Sequence, residues 1–251
     1  EALNDLKYVV MDKTGTLTKG KFEITAIEPE KEISTEALLE MAAYAEAHST
    51  HPIADSIKEK YEKEIQEERI TTYNEIPGHG IEATIDGNAR RMGKFSVNFE
   101  EVTEIGTIIY LAIEGKYAGY LLIADAIKED AAAAIATMKE LGIKHIIILT
   151  GDAKAVGDAI AKKLGITEVY SELLPQDKVA KFEEILSRKK KNEKVAFVGD
   201  GINDTPVLAR SDIGIAMGGL GSDAAIEAAD VVIMDDKPSK IGAAMLVAKD
   251  T

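Results

Sequence analysis

From about residue 122 to the end of the chain, short apolar runs alternate with amphipathic or alanine-rich stretches. No other feature restricts the fold as much. The Ala-rich stretch from Asp130 to about Leu141 reads as a helix that stops at Gly142, a residue suited to the left-handed C-cap. His145–Leu149 follows as a strand, Val156–Leu164 as a helix ended by Gly165, and Val169-Tyr170 as a short strand. Lys178–Arg188 is amphipathic, Lys194–Val198 is a buried strand, and Thr205–Ala209 opens another helix. Ile213–Met217 and Val231–Met234 read as two more strands. Strands apolar on both faces and joined by helices imply an α/β fold, a doubly wound parallel sheet.

Residues 21–121 have a different pattern. Thr35–Ala47 and Ile53–Gln66 are helical in period, and Asn74–Gly87, Thr107–Glu114 and Lys116–Ile123 alternate as short strands. Turns are expected at Asp86-Gly87 and Glu114-Gly115. Helices followed by antiparallel hairpins make an α+β unit. Ahead of it, Leu6–Met11 is one more apolar run that suits the parallel sheet. The expected organisation is therefore a parallel domain from 1–20 and 122–251 with an α+β domain inserted at 21–121. A chain of 251 residues is long enough for both.

The net charge of −14 and a pI near 4.8 argue against nucleic acid or an anionic membrane as partner. An anionic nucleotide would need local positive charge or Mg²⁺. There is no cysteine, so disulfides and thiolate metal sites are excluded. No apolar stretch approaches the roughly 18–20 residues that span a bilayer. Residue 1 is not Met and the first strand begins almost at once, so the chain reads as a piece of something longer.

Four loops of the parallel domain carry candidate chemistry. Asp12-Lys13-Thr14-Gly15-Thr16-Leu17-Thr18 follows the first strand, which places Asp12 at a strand's carboxyl end, where open α/β sheets bind ligands. A carboxylate there can act as a nucleophile, and the small residues after it let backbone amides face an anion. It could also simply cap a turn. Thr150-Gly151-Asp152 follows another strand; its hydroxyl and amide suit a phosphoryl oxygen, though a turn with a helix cap is an equal reading. Lys178 stands near a helix start, against the dipole preference, and is otherwise a surface lysine. Gly199-Asp200-Gly201-Ile202-Asn203-Asp204 places two carboxylates in a Gly-rich loop, a set suited to Mg²⁺ with phosphate.

These loops, in this order, resemble the haloacid dehalogenase superfamily, and the Asp12–Thr18 string resembles the phosphorylation motif of its P-type ATPase branch. The resemblance implies that Asp12 takes the γ-phosphate of ATP to form an aspartyl-phosphate. It makes Asp12, Lys13, Thr14, Thr150, Gly151, Asp152, Lys178 and Asn203 the catalytic set. Lys178 would neutralise phosphoryl charge, Thr150 and Gly151 would hold phosphoryl oxygens, and Asn203 would contact the phosphate side. Asp12, Asp200, Asp204 and the Thr14 carbonyl would hold Mg²⁺. Phosphatases of the superfamily typically have a second Asp two positions after the nucleophile; here that position is Thr14, which cannot serve as acid or base near neutral pH.

In the inserted domain, His51-Pro52-Ile53-Ala54 and Ile76-Pro77-Gly78-His79-Gly80-Ile81 resemble the nucleotide-binding domain of heavy-metal (type IB) P-type ATPases. By that match Glu46 contacts the adenine edge, His51 lies near base or ribose, and Gly78 and Gly80 admit the nucleotide close to the backbone. The chain has Ser49-Thr50 where the family often has Ser-Glu or Ser-Gln, and Gly93-Lys94 where it often has Gly-Asn. The tail from Ala216 to Met234 is closer to the zinc/cadmium subgroup than to the copper one. The resemblance implies ATP or ADP and Mg²⁺ as ligands. It also implies partner domains in the same protein, a transmembrane part and an actuator domain, at the cytoplasmic face of a membrane. The transported metal would not bind this segment. A copper exporter, a stand-alone phosphatase and a non-catalytic nucleotide sensor are the alternative readings.

Overall fold

Among the described residues, two six-stranded sheets hold the strands of the chain. The structure is a computed structural model and describes residues 5–76, 80–93, 104–200, 204–218 and 223–249. The order begins β1 (Leu6–Asp12), β2 (Thr18–Pro29), α1 (Thr35–Ala45), α2 (Pro52–Tyr61), β3 (Ile70–Ile76), β4 (Gly80–Ile85) and β5 (Asn88–Gly93). It continues with β6 (Thr107–Ile113), β7 (Lys116–Ile127), α3 (Ala131–Glu140), β8 (His145–Leu149), α4 (Lys154–Leu164), β9 (Glu168–Tyr170) and α5 (Pro175–Arg188). It ends with β10 (Lys194–Gly199), α6 (Thr205–Leu208), β11 (Ile213–Met217), α7 (Asp223–Ala228), β12 (Val231–Ile233) and α8 (Ser239–Lys249).

The larger unit runs to Gly20 and resumes at Ile127. Its sheet has the order β12-β11-β10-β1-β8-β9, with every pair parallel. The side chains of β1 divide by parity, as a pleated strand requires. Val9 and Met11 join Ile148, Val198 and Ile215 on one face, against Ile135 and Met138 of α3, Ile160 of α4 and Ile241 of α8. Tyr8 and Val10 join Ile147, Leu149 and Phe197 on the other, against Phe182 and Ile185 of α5 and Val207 of α6. Phe182 meets Phe197 edge to face at a centroid distance of 5.6 Å. Both faces are covered, which is why the strand sequences are continuous apolar runs. The α/β expectation for this sheet is met.

The smaller unit comprises Lys21–Ala126. Its sheet runs β2-β7-β6-β5-β4-β3, and the β3–β4, β4–β5, β5–β6 and β6–β7 pairs are antiparallel. Leu38 and Met41 of α1 and Ile57 of α2 pack with Ile81, Leu111, Leu121 and Ile123 of the sheet. The two expected turns have left-handed backbone at both central residues: φ is 50° and 77° at Asp86-Gly87, and 48° and 76° at Glu114-Gly115. That is the hairpin geometry whose twist matches the strands.

The structure departs from the sequence reading at several elements. β2 was not foreseen, because its residues are largely exposed and polar and show no clean alternation. α2 ends at Tyr61 rather than Gln66, because Glu62 turns left-handed at φ 56°. The return to the larger unit falls at Ile127, later than the expected 121/122, since β7 continues unbroken to that residue. Among the described residues no helix is long and apolar enough to cross a membrane.

Candidate active site

The register of β1 decides what meets at the carboxyl rim of the parallel sheet. Met11 lies beside Val198 of β10 and Ile148 of β8, and Asp12 beside Leu149. Lys13, Thr150 and Asp200 therefore leave the sheet next to one another.

Asp12 is only 7% exposed. Lys178 Nζ stands 2.7 Å from Asp12 Oδ1 and 3.4 Å from Asp204 Oδ1. The lysine reaches them because α5 begins at Pro175, with the Asp177 carboxylate accepting the Leu174 amide at 3.1 Å to hold the helix start. Lys178 is thus a half-buried ion-pair partner and not a free surface lysine. Asp12, Asp200 and Asp204 each offer a carboxylate oxygen within 4.8 Å of the others.

Burial pushes the Asp12 carboxyl up, and Lys178 and the Lys13 amide counter this only in part. Burial also raises Asp200, with the Asp12 charge adding to it. Asp204 is pushed up to about 7, first by burial and then by Asp12, against the pull of Lys178. Lys178 itself is raised: burial lowers it, but Asp12 and Asp204 outweigh that. The three carboxylates outnumber the lysine that pairs directly with them, Lys178, so full ionisation leaves a surplus of negative charge at the rim. A divalent cation suits that surplus. Mg²⁺ holds oxygens at about 2.1 Å, which sets opposite ligands about 4.2 Å apart. Three oxygens within 4.8 Å of one another are near enough to share one such ion.

Two glycines make the cluster possible. Gly15 has φ +74°, and a Cβ on it would lie 1.6 Å from Asp200 Oδ2. A Cβ on Gly199 would lie 2.6 Å from Asp204 Oδ2. Thr14, between Asp12 and Gly15, is exposed.

The Thr150 loop adjoins this cluster through Lys13. Lys13 Nζ lies 3.1 Å from Asp152 Oδ2. Thr150 is 1% exposed, donates its hydroxyl to Asp152 Oδ2 at 2.5 Å and accepts the Asp152 amide at 3.1 Å. Burial would raise Asp152, but the Thr150 hydroxyl and Lys13 outweigh it and hold the carboxyl below its ordinary value. The backbone between Thr150 and Asp152 presents Gly151, where a Cβ would meet the Leu173 carbonyl at 3.3 Å.

The expected nucleotide residues form a group of their own in the smaller unit. Glu46 caps the end of α1, is 7% exposed, and its Oε2 has no hydrogen-bond partner. Burial raises its pKa, which Ser49 and His51 offset only in part. His51 is the exposed N-cap of α2; its Nδ1 accepts the Ile53 amide at 3.2 Å. Gly80 opens β4 with φ 112°. Gly78 and Asn203 lie outside the described residues.

Sequence reasoning missed three residues near these groups. Lys128 follows β7, is buried, and donates to the Gly15 carbonyl at 2.5 Å and to Asp236 Oδ1 at 2.8 Å. Neither residue belongs to a recognisable spacing. Tyr73 of β3 has a buried hydroxyl without a partner, and His48 stands edge-on to its ring at 5.1 Å. In sequence it is one aromatic residue of an alternating strand.

The sequence matches the haloacid dehalogenase-like hydrolase family over residues 6–212. It is 55% identical to the cadmium, zinc and cobalt-transporting ATPase of Bacillus subtilis, over all of this chain and 37% of that protein. It is 48% identical to the zinc-transporting ATPase of Synechocystis, again over its full length and 36% of that protein. The chain thus spans little more than a third of these curated relatives. Among solved structures, a zinc-transporting PIB-type ATPase in the E2.Pi state matches with a TM-score of 0.79 at 32% identity, over 99% of this chain and 42% of that one. The catalytic domain of the CPx-ATPase CopB-B, in a study of nucleotide binding, matches with a TM-score of 0.60 at 28% identity, over 97% of this chain and 91% of that one.

Proposed function

The chain belongs to the haloacid dehalogenase-like hydrolase family, and on that premise we propose that it is the ATP-binding, autophosphorylating part of a heavy-metal-transporting P-type ATPase. The observation that carries this reading is the convergence of Asp12, Lys178, Asp200 and Asp204, drawn from two separate loops and a helix, on one rim of the sheet. The full-length likeness to cadmium- and zinc-transporting relatives supports a Zn/Cd-type cargo. The segment then acts at the cytoplasmic face of a membrane, with transmembrane and actuator domains of the same protein as its partners.

In this reading an Asp12 carboxylate oxygen attacks the γ-phosphorus of ATP. The O–P bond forms as the bond from phosphorus to the bridging oxygen breaks, and ADP leaves with that electron pair. Lys178, already beside Asp12, faces the negative charge of the transferred group. Thr150, the Gly151 amide and Asn203 bind its oxygens. Lys13 and Asp152 hold the two loops together. Asp12, Asp200, Asp204 and the Thr14 carbonyl would hold Mg²⁺, which would supply neutralising charge to the phosphoryl oxygens. Glu46, His51, Gly78 and Gly80 bind the nucleoside. The unpartnered Glu46 oxygen suits a donor such as an exocyclic amine.

The test is incubation with γ-labelled ATP and Mg²⁺ followed by acid quench. Acid-stable, hydroxylamine-labile label at Asp12 is expected. Absence of label sinks the proposal. Steady phosphate release without label points to a phosphatase, the reading that Thr14 disfavours.

A further inference from the structure

Lys128 is 7% exposed, and a buried ammonium is costly unless it is paired and hydrogen-bonded. Its partners are informative. One is the carbonyl of Gly15, at 2.5 Å, inside the loop that follows Asp12. The other is Asp236, at 2.8 Å, from the segment after β12. The backbone amide of Lys128 also donates to the Leu17 carbonyl at 2.9 Å. One residue therefore fastens the Gly15–Leu17 turn twice.

Two further observations make this more than a loop contact. Gly15 lies directly against the Asp200 carboxylate, so the position of its peptide limits where Asp200 can stand. Asp236, meanwhile, has a left-handed backbone at φ 56° although it is not a glycine. Such a conformation persists where its surroundings hold it.

We propose that Lys128 is a positioning residue for the cation site: its bond to the Gly15 carbonyl fixes the Gly15-Thr16 peptide and so holds Gly15 against Asp200, and Asp236 holds the lysine in place. The proposal rests on the reading of Asp12, Asp200 and Asp204 as the Mg²⁺ ligands. Lys128 touches neither phosphate nor metal in this scheme. It acts by setting the distance between the Thr14 carbonyl and the Asp200 carboxylate before the ion arrives.

The experiment titrates the 251-residue chain with Mg²⁺ alone and follows the backbone amide resonances of Gly15 and Asp200. Label incorporation from ATP is measured in parallel as a function of Mg²⁺. Lys128→Met should raise the Mg²⁺ concentration for half-saturation on the order of tenfold, with ATP affinity unchanged. Lys128→Arg, which can still reach a carbonyl and a carboxylate, should recover most of the loss. Asp236→Ala should give a shift of about threefold and, being on a half-exposed side chain, should leave the fold intact. A Lys128→Met protein with a lower melting temperature but wild-type Mg²⁺ dependence overturns the proposal. If that variant does not fold, unchanged Mg²⁺ dependence in Asp236→Ala overturns it instead. No Mg²⁺ response in the wild type overturns both this proposal and the cation-site reading. A normal wild-type response that Lys128→Met does not alter overturns this proposal alone.

Discussion

Asp12 and Glu46 are both acidic residues only 7% exposed, and burial raises both. They differ in what surrounds them. Asp12 has the Lys178 ammonium at 2.7 Å and two further carboxylates close by. Glu46 has one oxygen with no hydrogen-bond partner at all. A buried group in the first state belongs to an ionic cluster that would suit a cation. A buried group left in the second state lacks only a hydrogen-bond donor. In the proposed function the first would serve phosphoryl transfer and the second recognition of a neutral edge, and variants can test each without the other.

The largest effect should come from Asp12→Asn. It removes the proposed nucleophile and should abolish the labelled phosphoenzyme while nucleotide affinity, measured by calorimetry, stays at the wild-type value. Loss of both would mean that the two groups are not separable. Next in size is Thr14→Asp, which places a carboxyl where phosphatases of this family have their acid and base. Thr14 is exposed, so the change should be tolerated. Decay of the phosphoenzyme should speed up on the order of a hundredfold or more. Unchanged decay would show that residue type at this position does not set the lifetime.

The two sites were not equally legible in the sequence. Asp12, Thr150 and Asp200 could be placed at one rim because each directly follows an apolar run, and parallel strands end together. Lys178 was legible only as an oddity at a helix start; its pairing with Asp12 depends on how far α5 projects over the rim. Lys128 was not legible. It follows the last residue of β7, and its partner Asp236 is 108 positions away, with no spacing rule joining them. β2 was missed because an exposed strand at a sheet edge carries little hydrophobic signal. In the smaller unit the His51-Pro52 pair marked a helix start correctly, but the burial of the Glu46 carboxylate and the Tyr73 hydroxyl depends on tertiary packing that periodicity does not encode.

Glu46→Gln should give a smaller change, and it tests the recognition half of the comparison. The amide keeps the shape but loses the charged acceptor, so ATP affinity should fall on the order of tenfold, the worth of one charge-assisted hydrogen bond. Stability should move the other way. The folded carboxyl titrates above its ordinary value of 4.5, so the folded state binds more protons than the unfolded one between those two values. Stability from this group is therefore fully present below 4.5 and is lost as pH rises through the folded value. Glu46→Gln should remove that slope, giving a melting temperature at neutral pH equal to or above the wild type. A lower melting temperature with unchanged ATP affinity would show that Glu46 is a structural cap and not a ligand contact.

The smallest effect should come from His51, where two roles coincide on one exposed ring. Nδ1 accepts the Ile53 amide at the start of α2, which occupies that nitrogen as a helix cap. The rest of the ring is free to lie against a base or ribose. Asn is among the best N-cap residues, so His51→Asn keeps the cap and removes the ring, whereas His51→Ala removes both at a cost of about 1 kcal/mol in stability. The expected pattern is a few-fold loss of ATP affinity in both variants, on the order of 1 kcal/mol or less. Only the alanine variant should show a lower melting temperature. If His51→Asn binds ATP as the wild type does, the ring has no part in recognition. The nucleoside contacts would then fall to Glu46 and the glycine-bearing β3–β4 hairpin. If the two variants melt together but differ in affinity, the cap is worth nothing here, and the His-Pro pair is explained by the ligand alone.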